Sequence, residues 1–276
     1  MRQISNIAEL REHVSSAAAV AFVPTMGNLH EGHLDLVRQA KVHGDLVVVS
    51  IFVNPLQFGP TEDFDKYPRT LADDCAKLEG LADVVFAPSV SEMYSQQQTV
   101  FIEPPSIANE LCGATRPGHF RGMATVVSKL LNIVQPQVAL FGKKDYQQLH
   151  IIRQMIAQMN LPIRIVGGET VRAADGLALS SRNQYLTAEE RTEAIFLQQG
   201  LIDLRQAIVD GERDFAKLEA FSISALAKRG WQVEYVSVRE RATLSPAKSK
   251  DFELVVLAAA RLGATRLIDN LEINIG

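Results

Sequence analysis

Two short, almost purely apolar runs, each followed at once by a turn-forming segment, most constrain the fold of this chain. Val20–Pro24 forms the first run, and Leu46–Val53, rich in valine, forms the second. A strand that is apolar at consecutive positions must be covered on both faces, which is typical of parallel sheets flanked by helices. Gly32–Val42, between the runs, is spaced as a helix with Gly44 as its stop. The pattern therefore predicts a strand–helix–strand unit.

The same alternation continues to about residue 170. Further helices are predicted at Thr70–Glu79, Met123–Val134 and Asp145–Met159, and further strands at Asp83–Ala87, Thr99–Glu103, Val138–Phe141 and Ile163–Val166. Such alternation predicts an α/β fold, a Rossmann-like parallel sheet with helices on both faces. Sheets of this kind bind ligands at the carboxyl ends of their strands, near the switch in strand order.

The pattern changes after Gly176. A long helix is predicted over Thr187–Val209, opened by a capping box of Thr187 and Glu190, and a second helix over Phe215–Lys228. Strands are predicted at Trp231–Val238, Phe252–Ala258 and Arg266–Ile268. We therefore predict a Rossmann-like domain over residues 1–176 and a smaller C-terminal α+β domain over residues 177–276.

Composition excludes several classes of function. The formal net charge of −4 argues against a large nucleic-acid interface, which needs clustered Lys and Arg. Cys75 and Cys112 lie far apart without a Cys-x-x-Cys pair, so no metal site is predicted from them. The apolar runs are too short to span a bilayer, and the N-terminal residues lack an apolar signal core. We expect a cytoplasmic protein that does not bind membranes.

The segment Met26–His33, between the first strand and its helix, carries the strongest functional signal. Helix N-termini present unpaired N–H groups and a partial positive charge, so they bind phosphate well. His30 and His33 are three residues apart and can project from one side of the first turn, while Gly32 leaves room for a base. Two surface histidines in a loop are the alternative, but their place between a strand and a helix favours nucleotide binding.

Two further segments carry positive charge. Gly142-Lys143-Lys144-Asp145 ends a later strand, where a lysine can approach phosphates and Asp145 either caps a helix or contacts a ribose. Ser180-Ser181-Arg182-Asn183 can clamp a phosphate with two hydroxyls and a guanidinium, although a solvated polar linker is the alternative.

Neutral amides follow the second strand. Asn54 and Gln57 lie among apolar residues and suit a small hydroxy acid, because amides donate and accept without burying net charge. A turn with a satisfied amide is the alternative. Asp73 and Asp74 could approach magnesium, but acids early in a helix are more typical of surface groups that favour the helix dipole.

Together these segments resemble the pantoate–β-alanine ligase family, within the HxGH nucleotidylyltransferase-like superfamily. The resemblance covers most of residues 20 to 183, and the tail after residue 186 matches only loosely. The matching motifs are Val23-Pro24-Thr25-Met26-Gly27, His30-Glu31-Gly32-His33, Phe52-Val53-Asn54-Pro55-Leu56-Gln57-Phe58, Tyr67-Pro68-Arg69, Gly118-His119-Phe120, Lys144-Asp145-Tyr146-Gln147-Gln148 and Leu179-Ser180-Ser181-Arg182-Asn183. The departures are Asn28, Lys143 and Met123, and none removes a chemical group that the reaction needs.

The resemblance implies an ATP-dependent ligase that condenses pantoate with β-alanine through a pantoyl adenylate, with Mg²⁺ accompanying the nucleotide and a homodimer as the assembly. It implies catalytic roles for His33, as proton donor, and for His30, Lys144 and Arg182, and it places pantoate and β-alanine at Gln57 and Gln148. The ATP-binding residues that it implies are Met26, Gly27, Asn28, Leu29, His30, Glu31, Gly32, His33, Gly142, Lys143, Lys144, Asp145, Val171, Leu179, Ser180, Ser181 and Arg182.

Two other functions remain open from the sequence. A nucleotidyltransferase of similar fold would keep the nucleotide on its product, whereas the amides of Gln57 and Gln148 favour the ligase. A non-catalytic nucleotide sensor is disfavoured because both histidines, Lys144 and Arg182 are present. An aminoacyl-tRNA synthetase is disfavoured by the short chain and by the lack of a basic tRNA-binding region.

Overall fold

The computed structural model describes residues 1–60, 62 and 64–275 of the 276-residue chain. These residues form two compact units. The first comprises Met1–Lys143 and Gln148–Glu169, and the second comprises Lys144–Gln147 and the chain from Thr170 onwards. The domain boundary near Gly176 stays a prediction.

A parallel sheet forms the centre of the first unit. Its six strands are β1 (Arg2–Ile4), β2 (Val20–Thr25), β3 (Leu46–Ile51), β4 (Val84–Phe86), β5 (Val138–Gly142) and β6 (Arg164–Gly168). They lie in the order β1-β4-β3-β2-β5-β6, and every pair is parallel. The direction of winding switches between β2 and β5, where Ala21 pairs with Val138. Such a switch opens a crevice at the carboxyl ends of the two strands.

Helices cover both faces of this sheet. They are α1 (Ile7–Val14), α2 (Glu31–Ala40), α3 (Leu71–Leu78), α4 (Val90–Met93), α5 (Cys112–Thr115), α6 (His119–Val134) and α7 (Tyr146–Gln158). Ala21 and Val23 of β2 share a core cluster with Leu36 of α2 and Leu78 of α3. Phe22, wholly buried, points to the opposite face, where α6 contacts β2. The predicted fold class is confirmed.

Gly44 has a different role from the predicted one. The helix that precedes it already ends at Ala40, four residues earlier. A Cβ atom on Gly44 would lie 2.7 Å from the backbone nitrogen of Ala21 and 2.9 Å from the carbonyl oxygen of Ala19. Glycine is therefore needed here because the loop passes closely over the start of β2.

The predicted strand Thr99–Glu103 is wrong. This segment is irregular: its Ile102 N–H donates to Thr125 Oγ1 at 3.1 Å, and Phe101 stacks under the Arg121 guanidinium at 3.9 Å. Phe101 and Ile102 thus attach the segment to α6 rather than to the sheet. Strand β1 was not predicted, because its three residues are too few to show a period.

The second unit pairs helices with an antiparallel sheet. It contains α8 (Ala188–Glu193), α9 (Ile195–Val209), α10 (Phe215–Lys228), β7 (Gln232–Glu240), β8 (Glu253–Leu262) and β9 (Thr265–Asn274), with strand order β7-β8-β9. Leu197 and Leu201 of α9 share its core with Trp231 and Val256. The smaller α+β architecture is as predicted.

The predicted helix Thr187–Val209 is divided in two. Its start is as predicted, because Thr187 and Glu190 form a reciprocal capping box. The division falls at Ala194, which keeps right-handed helical dihedral angles of −60° and −22°. The backbone therefore stays helical in conformation: the Ala194 N–H donates to the Glu190 carbonyl oxygen at 2.8 Å, and the Leu197 N–H donates to the Ala194 carbonyl oxygen at 3.4 Å.

Candidate active site

The tip of α2 is capped by its own histidines. His30 is the N-cap, and its Nδ1 accepts the Gly32 N–H at 3.2 Å. His33 Nδ1 accepts the His30 N–H at 3.3 Å, and the two ring centroids lie 4.1 Å apart. Since both Nδ1 atoms are acceptors, each neutral ring carries its hydrogen on Nε2. The two rings can thus act as N–H donors beside a helix N-terminus.

The turn that leads into this tip has unusual backbone angles. Gly27 has φ of 81° and Asn28 has φ of 50°, so two consecutive residues are left-handed. Glycine and asparagine tolerate this region better than other residues. Asn28, a departure from the family pattern, therefore fits the turn.

Asp74 corrects an expectation from the sequence. It is 0% exposed, so it is not a surface group as predicted, whereas its neighbour Asp73 is exposed. Its carboxylate accepts the N–H groups of Asn28 and Leu29. The acid thus belongs to the framework of the turn before α2.

The side chain of Glu31 forms an ion pair with Arg38 of the same helix. Its carboxylate lies 2.5 Å from Arg38 Nη1 on the exposed side of α2. Leu29, in contrast, is buried and anchors the turn to the apolar core. The predicted ATP contacts of Glu31 and Leu29 would therefore be made by their backbone groups.

Gln57 lies beside Met26 in a buried amide cluster. The short 3-10 helix Pro55–Gln57 follows Asn54, whose Nδ2 donates to Gln57 Oε1 at 3.0 Å and to the Gly122 carbonyl at 3.2 Å. Gln57 Nε2 lies 3.1 Å from Met26 Sδ. The structure therefore brings together a predicted nucleotide residue and a predicted pantoate residue.

Tyr94 also belongs to this buried amide cluster. Its hydroxyl donates to Asn54 Oδ1 at 2.7 Å, and burial raises its pKa well above the ordinary value. It stays a neutral donor over the working range of pH. Tyr94 was not predicted as a partner of Asn54, because it lies 40 residues further along the chain.

A buried histidine fixes the backbone of Gln57. His119 Nδ1 donates to the Gln57 carbonyl oxygen at 2.8 Å, and His119 Nε2 accepts from Arg116 at 2.9 Å. Arginine can only donate, so the ring is neutral with its hydrogen on Nδ1. Arg116 in turn pairs through two nitrogens with Glu62. These residues therefore support the backbone of the Pro55–Gln57 helix.

Three predicted residues lie at the end of β5 or after it in the first unit. Gly142 ends the strand, and Lys143 forms an ion pair with Glu169 at 2.5 Å. Gln148 is half-buried in the first turns of α7. The Lys143 ammonium is thus engaged by an exposed carboxylate.

Lys144 and Asp145 belong to the second unit, where β9 anchors them. Asn270 Nδ2 donates to the Lys144 carbonyl oxygen at 2.9 Å, and Lys144 Nζ lies 3.9 Å from Asp145 Oδ2. Lys144 also lines a small cavity of about 10 Å³ with Ser180 and Asn183. Two predicted nucleotide segments of this unit are therefore adjacent.

A narrow hairpin brings Val171 and Leu179 together. The Leu179 N–H donates to the Val171 carbonyl oxygen at 3.0 Å. Between them, Arg172 pairs with the buried carboxylate of Asp269 at 2.6 and 2.8 Å. The hairpin, and the serines that follow it, are thus attached to β9 by a two-bond ion pair.

The serine–arginine segment begins a short 3-10 helix. Ser180 is its N-cap and accepts the Arg182 N–H at 3.2 Å, while Ser181 and Arg182 lie in the helix and are half-buried. Asn183 Nδ2 donates to the Ala178 carbonyl at 3.0 Å. The segment is ordered by its own side chains, unlike a solvated linker.

Neither a metal cluster nor a membrane span occurs in the described part of the chain. Over residues 1–60, 62 and 64–275, no three His, Cys, Asp or Glu side chains are grouped so that they could bind a metal ion. Among the same residues, no helix has the length and apolar character needed to cross a bilayer.

Comparison with known proteins points to one family. A family model described as pantoate-beta-alanine ligase matches residues 2–272. A pantothenate synthetase of Nitrosospira multiformis is 59% identical over 274 residues, covering 99% of this chain and 98% of the relative. One of Neisseria meningitidis serogroup B is 58% identical over 278 residues, with 100% of both chains covered.

Solved structures agree with these relatives. A pantoate-beta-alanine ligase (pantothenate synthetase) of Thermus thermophilus superposes with a TM-score of 0.95 at 44% identity, covering 99% of this chain and 100% of the other. A pantoate-beta-alanine ligase of Francisella tularensis, complexed with beta-gamma ATP and beta-alanine, gives 0.79 at 34% identity, covering 98% and 97%.

Proposed function

The chain belongs to the pantoate–β-alanine ligase family, and from this membership we propose how its residues join pantoate to β-alanine. The activity is an ATP-dependent condensation that forms an amide bond. The observation that carries this conclusion is the 58% identity to a pantothenate synthetase over the full length of both chains, together with a related structure complexed with beta-gamma ATP and beta-alanine.

The reaction divides into two displacement steps. A pantoate carboxylate oxygen attacks the α-phosphorus of ATP, and pyrophosphate leaves with the electrons of the broken P–O bond. The neutral amine of β-alanine then attacks the acyl carbon of the pantoyl adenylate, AMP leaves, and the amine loses a proton. The first step needs charge stabilisation on the phosphates, and the second gains much of its rate from positioning.

The tip of α2 is proposed to hold the triphosphate. The Nε2–H groups of His30 and His33 are donors, and the backbone N–H groups of the first turn add a partial positive charge. His33 is the proposed proton donor to the leaving pyrophosphate. Backbone groups of Met26, Gly27, Asn28, Leu29, Glu31 and Gly32 are proposed to complete the contacts of this segment.

Residues of the second unit are proposed to supply cations and hydroxyls. Lys144 and Arg182 neutralise phosphate charge, Ser180 and Ser181 donate hydrogen bonds, and Asp145 contacts the ribose. The adjacency of Lys144 and Ser180 in one small cavity supports this assignment. Gly142, Lys143, Val171 and Leu179 are proposed to line the nucleotide through their backbone.

Gln57 and Gln148 are proposed to hold pantoate and β-alanine. The Asn54 amide occupies Gln57 Oε1, which leaves Gln57 Nε2 as the donor of this side chain. An N–H donor suits the carboxylate or hydroxyls of pantoate without adding net charge.

Mg²⁺ is proposed to arrive with ATP. Magnesium is usually held by substrate phosphates and one or two carboxylates, with several waters retained. That arrangement fits the described residues, which offer no cluster of three ligands. Bound magnesium would neutralise phosphate charge.

The assembly and location are proposed from family likeness alone. We propose a homodimer built on the first domain, which light scattering of the purified chain would test. A cytoplasmic location is proposed with it, and fractionation of cells that produce the chain would test that.

Product analysis tests the function. ATP, pantoate and β-alanine are mixed with the enzyme, and pantothenate, AMP and pyrophosphate are measured together, with each acid omitted in turn. We expect equal amounts of pantothenate and AMP, and pyrophosphate only when pantoate is present. A stable nucleotidylated product that persists with β-alanine present would instead identify a nucleotidyltransferase.

A further inference from the structure

Helix α3 holds the turn that leads into α2. Asp74 Oδ2 accepts the Asn28 N–H at 2.8 Å, and Asp74 Oδ1 accepts the Leu29 N–H at 2.7 Å. Thr70 Oγ1 also donates to Oδ2, at 3.1 Å. Asp74 is 0% exposed, so this carboxylate is buried with three hydrogen bonds from described residues.

A cation on the same helix holds the other side of the turn. Lys77 Nζ donates to the Leu29 carbonyl oxygen at 2.8 Å. Residues three and four apart share one face of a helix, so Thr70, Asp74 and Lys77 form a single surface. We name these three residues the α3 clamp. The α3 clamp hydrogen-bonds with both the N–H group and the carbonyl oxygen of Leu29.

The turn gains from such support because part of its backbone is strained. Gly27 and Asn28 both have positive φ, 81° and 50°, a conformation that costs free energy at a residue with a side chain such as Asn28. A Cβ atom on Gly27 would lie 3.1 Å from Asp74 Oδ2, so the clamp packs directly on the turn. His30, which follows Leu29 directly, is the N-cap of α2. Movement of the turn would therefore rotate the paired imidazoles.

We infer that Asp74 is a positioning residue for the adenylation step. It fixes the Gly27–Leu29 turn and thereby orients the side chains of His30 and His33. The inference rests on the proposed function of the α2 tip. Asp74 acts through backbone groups, and Lys77 reinforces it from the carbonyl side. The buried charge is matched by charge-assisted hydrogen bonds, which are about twice as strong as neutral ones.

The chain offers a matched control. Asp74→Asn keeps the shape but replaces one carboxylate oxygen by an NH₂ group, which faces a backbone N–H donor. Asp73→Asn makes the same change on the exposed neighbour. Lys77→Met keeps most of the side-chain volume and removes the donor to Leu29.

Kinetics of the first half-reaction give the first readout. For Asp74→Asn we expect pantoate-dependent exchange of pyrophosphate into ATP to slow by about 10- to 100-fold, as for lost supporting residues elsewhere. The KM for ATP should rise and the KM for β-alanine should stay unchanged. Asp73→Asn should remain within about twofold of the wild type. Lys77→Met should change in the same direction as Asp74→Asn, by less.

Amide hydrogen exchange on the full chain gives a readout independent of activity. Asp74→Asn should speed exchange at Asn28 and Leu29, whereas Asp73→Asn should not. Unchanged exchange and kinetics in a folded Asp74→Asn variant would overturn the inference. Recovery of kcat by excess MgCl₂ would also overturn it, because Asp74 would then act as a metal ligand.

Two further outcomes are decisive. If Asp74→Asn does not fold, Lys77→Met takes its place: faster exchange at Leu29 supports the clamp, and unchanged exchange refutes it. If the wild type shows no pyrophosphate exchange, the proposed function fails, while the amide measurement still decides whether the clamp holds the turn.

Discussion

His30 and His33 cap one another across the first turn of α2, the first ring accepting the Gly32 N–H and the second accepting the His30 N–H. Cap residues are usually hydroxyl, carboxylate or amide side chains. An imidazole differs because its second nitrogen remains a donor while the first accepts. The same two rings therefore stabilise the helix start and, in the proposed function, present Nε2–H groups to phosphate.

This dual role predicts the effect of His33→Asn. The shorter amide can still accept the His30 N–H through its oxygen, but it lacks the Nε2–H donor. Loss of one transition-state donor lowers kcat by about 10²–10³ in comparable sites. We expect that loss in pyrophosphate exchange, with Tm close to the wild type. His13→Asn on α1 serves as the control, and wild-type kcat in His33→Asn would refute the assignment.

Substitutions of Gln57 test the pantoate site. Gln57→Ala removes a donor to a charged substrate, so the KM for pantoate should rise by about 10- to 100-fold while the KM for ATP stays constant. Gln57→Glu still accepts from Asn54 but places a carboxylate where the donor was. It should therefore be worse than Gln57→Ala, because it repels the pantoate carboxylate. Initial-rate kinetics with each substrate varied in turn would check both.

The alternation of strands and helices was predictable because each element carries its own pattern. The apolar runs at Val20–Pro24 and Leu46–Val53 predict two central strands, and the residues after the first run predict the start of α2, which we propose binds the nucleotide. The histidine pair was predictable for the same reason, since its geometry depends on one helix turn. Local signals of this kind do not depend on distant parts of the chain.

Supporting residues were not predictable because their partners are distant in sequence. Asp74 lies 46 residues from Asn28, and Asn270 lies 126 residues from Lys144. Their sequence contexts are those of a surface acid and a strand-end amide. Only the packing of α3 and β9 reveals what each one binds. The strand predicted at residues 99–103 was wrong for a similar reason, because contacts with α6 hold this segment.

The attachment of Lys144 to β9 gives a further prediction. Asn270→Asp is isosteric, but it turns a donor to the Lys144 carbonyl into an acceptor that repels it. We expect the KM for ATP to rise by about tenfold, equivalent to one lost hydrogen bond. Asn274→Asp on the same strand is the matched control, because its oxygen accepts from Arg241 and can continue to do so. Equal KM values in the two variants would exclude this role.

The pair Glu62–Arg116 predicts the acid dependence of stability. Burial by itself would raise the pKa of Glu62, but hydrogen bonds and charge attraction from Arg116 outweigh it, and the pKa falls below 4.5. A lowered folded-state pKa gives stability that is present above the unfolded value and lost as pH falls through the folded one. Glu62→Gln should therefore lower Tm near neutral pH, and the difference should shrink below about pH 4. Thermal unfolding of both proteins across this range would check it.

Replacing each of two helical glycines by alanine should have opposite effects on stability. Gly122 lies inside α6, and a Cβ there would be 2.0 Å from the Leu56 carbonyl oxygen and 2.7 Å from the Gln57 nitrogen. Gly200 lies inside α9, where a Cβ would meet nothing within 4 Å. Gly200→Ala should stabilise the protein by roughly 0.5–1 kcal/mol, because alanine loses less backbone entropy in a helix.

Gly122→Ala should instead lower Tm, because backbone atoms of the Pro55–Gln57 helix must move to admit the methyl group. That movement also displaces Gln57, so the KM for pantoate should rise with it. Gly200→Ala should leave this KM unchanged. Calorimetry and pantoate kinetics on the two variants would separate helix propensity from close packing. A stable Gly122→Ala enzyme with wild-type KM would contradict the contact between α6 and the Pro55–Gln57 helix.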